Sequence, residues 1–91
     1  LKVRHEPESS RFVITSDQGL AVLEYARVDA STLDYRHTFV PPSLRGQGIA
    51  SRLAEHALQH ALDESLAVVP SCPFVAAYIR RNPKFDKLVR E

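Results

Sequence analysis

His37-Thr38-Phe39-Val40-Pro41-Pro42-Ser43-Leu44-Arg45-Gly46-Gln47-Gly48-Ile49-Ala50-Ser51 is the stretch on which the fold turns. A strand-like run enters Pro41-Pro42, and consecutive prolines cannot continue a hydrogen-bonded ladder, so the strand stops there. Ser43 to Gln47 is then loop. From Gly48 onward the apolar residues Ile49, Leu53, Ala57, Leu58, Ala61 and Leu62 recur at three- and four-residue spacing, with Arg52, Glu55, Gln59, Asp63 and Glu64 mostly opposite. The spacing predicts an amphipathic helix from Gly48 to about Glu64, entered from a strand through a glycine-rich turn.

Upstream, Arg11 to Thr15 is a short β-branched and aromatic run, and Ser16-Asp17-Gln18-Gly19 supplies turn formers. Leu20 to Val28 forms the second arm of a hairpin, and Asp29-Ala30-Ser31 turns the chain into a third strand, Thr32 to Val40. Period-two alternation assigns Leu33, Tyr35, His37 and Phe39 to one buried face, and Thr32, Asp34, Arg36 and Thr38 to the other. Downstream, Leu66 to Val69 reads as a short buried strand, which a crossover helix places parallel to its predecessor with right-handed connection. Pro73 suits the first turn of a second helix over 73–81, with Cys72 at or next to its N-cap and Asn82-Pro83 ending it. The first nine residues and the last few are expected to fray. The fold class is therefore α+β: a mixed, mainly antiparallel sheet of about four strands, one long crossover helix and a shorter C-terminal helix.

The length of 91 residues allows one domain, spanning 1–91. Hydrophobic residues at 44% and charged residues at 25% are near the globular average, which argues for a packed core and against disorder. The net charge of +1 is too small to recruit nucleic acid or a membrane by global attraction, so neither is expected as a partner. Cys72 is the single cysteine and cannot form an internal disulfide, which favours a reducing compartment. No run approaches the roughly 20 apolar residues of a membrane span. A monomeric, cytoplasmic protein is expected.

The chemistry concentrates in Arg45-Gly46-Gln47-Gly48-Ile49-Ala50. Glycines and a small residue at a strand-to-helix junction let backbone N–H groups approach a ligand, and the positive helix end with Arg45 beside it suits a diphosphate. The same spacing also describes a glycine turn whose amides bind only water, and spacing alone leaves both readings open. A Walker loop is excluded because Gly48-Ile49-Ala50 stands where Gly-Lys-Ser/Thr is needed. A dinucleotide fold is disfavoured because a meander precedes the turn and little chain follows it.

With its surroundings the segment resembles motif A of the GNAT-type N-acetyltransferases, whose pattern Arg/Gln-x-x-Gly-x-Gly/Ala is matched by Arg45, Gly48 and Ala50. Together with His37 to Pro41 and with Pro70-Ser71-Cys72-Pro73-Phe74-Val75-Ala76-Ala77-Tyr78-Ile79-Arg80-Arg81-Asn82-Pro83, it is similar to the small single-domain GNAT-like proteins over about residues 11 to 88. The resemblance implies a minimal GNAT fold with acetyl-CoA or CoA as ligand. It further implies that the pyrophosphate lies on the backbone that follows Arg45, through Gly46, Gln47, Gly48, Ile49, Ala50 and Ser51. Pantetheine then runs along Phe39 and Val40. Larger members carry helices after the first strand that shape an acceptor pocket; here Ser16 to Gly19 is only a tight turn, so the acceptor site should be open.

Cys72 sits where a helix begins, a position that favours a thiolate. Larger members have a pantetheine-binding asparagine near this place, so Cys72 is a candidate general acid, acyl-accepting nucleophile or cofactor wall, against an inert buried cysteine. Tyr78 is the rival proton donor to the departing sulfur, against simple aromatic packing. His37 is the first candidate base and Glu24 the second, against a core histidine and a solvated carboxylate. His56 and His60 have metal-ligand spacing, yet share a polar face with Arg52 and Glu64 and lack an HExxH pattern, so no metal is expected. The basic end, Arg80, Arg81, Lys84, Lys87 and Arg90, suits either the 3′-phosphate of CoA or simply a helix C-terminus. The expected activity is direct acetyl transfer from acetyl-CoA to an amine of a small molecule or peptide. The alternative is a CoA- or acyl-CoA-binding module without turnover.

Overall fold

The computed structural model describes residues 2–90. Five strands form one sheet in sequential order: β1 (Val3–Glu6), β2 (Arg11–Ser16), β3 (Gly19–Asp29), β4 (Thr32–Phe39) and β5 (Ala67–Val69). The first four are antiparallel neighbours, and β5 joins β4 in parallel through the crossover helix α1 (Ile49–Asp63). A second helix, α2 (Pro73–Arg81), and 3₁₀ segments over Pro7–Ser9, Pro42–Leu44 and Pro83–Leu88 complete the described fold.

The expected class holds, with one strand more than the sequence suggested. Val3–Glu6 pairs in register with Ile14–Arg11, so this part of the first nine residues forms an edge strand instead of fraying, and a 3₁₀ turn over Pro7–Ser9 follows it. The other end is ordered too. Phe85 and Leu88 are buried, Val89 bridges Val68, and the Arg90 N–H donates to the Val68 carbonyl at 2.8 Å.

The core lies on one face of the sheet. Phe12, Ile14, Leu23, Leu33 and Tyr35 from the strands meet Leu53, Ala57, Leu58 and Ala61 of α1 and Val75 and Ile79 of α2. The Tyr35 hydroxyl donates to the Ala57 carbonyl at 2.5 Å and so pins the sheet to α1. The shortest dimension, 19 Å, fits one sheet and one helical layer, each about 10 Å thick. Among the described residues no helix covers the opposite face. There Val13 and Val22 are shielded mainly by neighbouring strand residues, while Leu20 and Phe39 stay exposed.

Strand β4 does not keep strict alternation. Glu24 of β3 pairs with His37, but the next residue, Tyr25, pairs with Tyr35, so Arg36 is an extra residue in a β-bulge. The bulge reverses every side chain beyond it. Thr38, opposite buried Leu23, turns to the helix face, while His37 and Phe39 turn to the bare face. This corrects the expectation that His37 and Phe39 share the buried face of Leu33 and Tyr35: His37 is exposed, and Phe39 is 44% exposed.

Candidate functional site

The site is built where β4 and β5 part. Their pairing ends at Asp34 opposite Val69, and the last stitch is the Cys72 N–H donating to the Tyr35 carbonyl at 2.8 Å. Immediately beyond lies the bulge at Arg36. From there β4 keeps only β3 as a paired neighbour, and its other edge opens as a cleft beyond the end of β5.

Beside this last stitch, where the cleft begins, the Cys72 sulfur lies 3.4 Å from the Thr38 hydroxyl oxygen, and Cys72 is only 4% exposed. Cys72 is the N-cap of α2, as the sequence indicated. At the other end, Val40, Leu44, Arg45, Gly46, Gly48, Ile49, Ala50, Ser51 and Phe74 enclose a hollow of about 190 Å³. Val40, just past β4, and Phe74 of α2 both line it.

Local forces hold this loop. The Arg45 Nε donates to the Val40 carbonyl at 3.0 Å, tying the loop to the end of β4. The Ser43 hydroxyl donates to the Gln18 carbonyl at 3.0 Å, so the β2–β3 turn braces it from below. Gly46 and Gly48 have φ of +82° and +74°, a left-handed region that side chains rarely adopt. A Cβ at either would meet nothing within 4 Å, so the space beside both glycines is open.

The first intrahelical bond of α1 runs from the Arg52 N–H to the Gly48 carbonyl at 3.1 Å. The amides of Ile49, Ala50 and Ser51 precede it and have no carbonyl within the helix. No side chain caps them, and no acidic residue stands in the first turn. Unpaired donors at the positive end of a 15-residue helix, with Arg45 beside them and open space at Gly48, form an anion cradle. The residues present therefore fit the pyrophosphate of CoA.

The structure brings Val40, Arg45, Gly46, Gly48, Ile49, Ala50 and Ser51 together around this hollow. Gln47 is turned away: its side-chain amide donates to the Ser43 carbonyl at 3.5 Å, and it lines a separate hollow beside Thr15 to Gln18. Phe39 has its side chain on the bare face, leaving only its backbone along the cleft. His37 stands in register with Glu24 on that bare face, so the two candidate bases are cross-strand neighbours.

Tyr78 is not with Cys72. Its hydroxyl donates to the Glu55 carboxylate at 2.6 Å, across to α1. Burial first, then the bond and charge of Glu55, push the Tyr78 hydroxyl up to about 12. It lines a larger hollow of about 640 Å³ with Ser51, Arg52, Glu55, His56 and Gln59, and Ser51 belongs to both hollows.

His56 and His60 pack beside Phe12, with centroids at 5.8 and 5.6 Å, and among the described residues no group of three or more His, Cys, Asp or Glu is placed to hold a metal. No helix among them is long and apolar enough to cross a membrane. Of the basic end, Lys84 reaches Glu55 at 3.4 Å and Arg90 reaches Asp29 at 3.1 Å.

Three residues here were not legible in the sequence as site residues: Leu44, which lines the hollow as a buried loop residue, Phe74 and Thr38. Phe74 carried only its place two residues after Cys72, at the start of a helix. Thr38 carried a misleading signal, since alternation assigned it to the wrong face.

Residues 11–88 match the family model of the GCN5-related N-acetyl-transferases. The chain is 33% identical over 85 residues to Protein NATD1 of Xenopus tropicalis, covering 91% of this chain and 78% of that one. The human Protein NATD1 is also 33% identical, with 91% and 75% covered. The solution structure of a GCN5-like protein from Staphylococcus aureus superposes with a TM-score of 0.76 at 25% identity, covering 99% of this chain and 88% of that one. Uncapped amides at the head of a crossover helix, a bulged strand parting from its parallel neighbour, and these likenesses agree: the chain belongs to the GCN5-related N-acetyltransferase family.

Proposed function

We propose that this protein transfers the acetyl group of acetyl-CoA directly to an amine of a small molecule or peptide. The observation that carries the reading is the set of unpaired amides of Ile49, Ala50 and Ser51 opening α1 at the hollow that ends the β4–β5 cleft. When bound, acetyl-CoA supplies the thioester carbon that the amine attacks. The amides from Gly46 to Ser51 and Arg45 hold its diphosphate, and the backbone of Phe39 and Val40 lies along its pantetheine arm. An N–H near Val40 stabilises negative charge on the acyl oxygen. Cys72 gives a proton to the departing sulfur, and His37 accepts one from the amine that arrives over the bare face.

An alkylammonium with a pKa of about 10.4 costs roughly 4.6 kcal/mol to deprotonate at pH 7. Holding both reactants in place contributes up to about 7–11 kcal/mol, so positioning outweighs that cost and a weak base suffices. The exposed setting of His37 and the commitment of Tyr78 to Glu55 favour a second reading, a module that binds CoA without turning it over.

Calorimetry with acetyl-CoA and CoA, followed by CoA release over a panel of amines, tests both. Binding with steady release, lost in His37→Ala or Cys72→Ala and kept in Tyr78→Phe, supports the transferase with Cys72 as donor. Binding with background release supports the module, and no heat with either ligand overturns both. Mass spectrometry adds one discrimination: a lasting acetyl adduct on Cys72 during turnover replaces direct attack by a two-step route.

A further inference from the structure

We propose that Thr38 is a positioning residue for acetyl transfer: its hydroxyl orients the Cys72 thiol at the closed end of the cleft and stabilises the sulfur after it has given up its proton. This rests on the acetyl-transfer reading of the cleft and adds a residue to it.

The geometry follows from the bulge. Without the extra residue Arg36, alternation from Tyr35 would turn Thr38 onto the bare face; with it, Thr38 faces the helix side opposite Leu23. The partner is fixed independently, because the Cys72 N–H is held by the Tyr35 carbonyl at 2.8 Å, one residue before the bulge. Thus the bond that closes the cleft and the bulge that opens it set the two side chains face to face, with the oxygen 3.4 Å from the sulfur. Thr38 is half-buried and Cys72 buried, so water competes weakly for this contact. Threonine is stiff at χ1, which makes its hydroxyl a fixed reference for the thiol rotamer.

The proton balance is closed. As the nitrogen–carbon bond forms and the carbon–sulfur bond breaks, the bonding pair stays on the CoA sulfur, which takes the proton of the Cys72 thiol. The Thr38 hydroxyl then donates to the Cys72 thiolate. The new amide nitrogen loses its extra proton through His37 to solvent, and solvent returns one to Cys72.

The test uses Thr38→Val, nearly isosteric but without a donor, and Thr38→Ser, which keeps the donor. Calorimetry with CoA comes first: affinities within about threefold of wild type show that the cleft is intact in both. The expected result is kcat lowered about tenfold or more in Thr38→Val with KM for acetyl-CoA unchanged, and restored to within about threefold in Thr38→Ser. Because Cys72 is the single cysteine, its alkylation by iodoacetamide reports the contact without any turnover. Alkylation should slow several-fold in Thr38→Val and recover in Thr38→Ser.

The proposal is overturned if Thr38→Val matches wild type in kcat and alkylation, if KM rises in place of a fall in kcat, or if serine fails to rescue. A valine variant that loses CoA binding while serine keeps it overturns the proposal as well, since the hydroxyl then serves cofactor binding and not the Cys72 thiol. Wild-type protein that binds CoA without turnover removes the underlying reading, and this proposal with it.

Discussion

Gly48 carries two requirements that separate cleanly. Its φ of +74° and ψ of 15° lie in the left-handed region, where a side chain costs about 1–2 kcal/mol. Its Cβ position faces open space, so no protein atom forbids a side chain there. Gly48→Val is therefore expected to fold, with a thermal midpoint lower by roughly 4–8 °C per kcal/mol of strain. The heat of CoA binding should be lost, because the side chain projects into the space beside the amides of Ile49 to Ser51. Scanning calorimetry and titration of the same sample check both, and a variant that binds CoA with unchanged affinity sinks the cradle. Tyr78 shows a second residue-scale constraint. With its hydroxyl pushed up to about 12, it stays protonated throughout the neutral range and serves as a donor to Glu55. Tyr78→Phe is expected to cost about 1.5–3 kcal/mol in urea unfolding, the usual worth of a bond to a charged group.

Edge strand β1 shows what an element gains from contacts that no local pattern announces. Val3-Arg4-His5-Glu6 offers little apolar alternation, and His5 adds ring contacts to its ladder with β2. The imidazole stacks on Phe12 at 4.3 Å, meets His60 edge-on at 4.6 Å, and shares a 2.6 Å hydrogen bond with the Tyr25 hydroxyl. Burial, then the charges of His60 and His56, lower the His5 pKa below 6.5, and Glu8 in the turn after β1 only partly opposes them. In this case the unfolded chain binds the extra proton first, so stability is fully present above about pH 6.5 and falls as the pH drops through the lowered value. The urea midpoint should decline below pH 6.5, with amide exchange of β1 accelerating before that of β3. A His5→Phe variant should flatten the decline; an equally steep decline in that variant would assign it to other groups. The helices were legible because 3.6-residue periodicity, Pro73 and Asn82-Pro83 are local signals, and both observed helices lie within about one residue of the expected bounds. The bulge at Arg36 was not, since register belongs to a pair of strands and β4 alone holds no record of it. That one residue explains why alternation put the thiol's partner, Thr38, on the wrong face.

Across the whole molecule, a two-layer fold with one bare sheet face has a single core, and every element that closes it matters. Strand β5 is only three residues long, and its outer edge is covered by the segment after α2, where Val89 bridges Val68 and the Arg90 N–H bonds the Val68 carbonyl. Phe85 anchors that segment: it is 0% exposed and packs within the same cluster as α1 and α2. A large-to-small change there removes buried area and leaves a cavity that a closely packed core refills only in part, costing about 3–5 kcal/mol. Single domains of this size are stable by only about 5–15 kcal/mol, so Phe85→Ala should lower the thermal midpoint by more than about 10 °C. The loss should reach the candidate site as well, because the same core holds Val75 and Ile79 of α2, and α2 sets the position of Cys72 at its head. Circular dichroism melting and CoA titration on Phe85→Ala and Phe85→Leu separate these effects. Leucine should recover most of the midpoint and the binding, whereas a small shift in the alanine variant would mean that the C-terminal segment does not close the core.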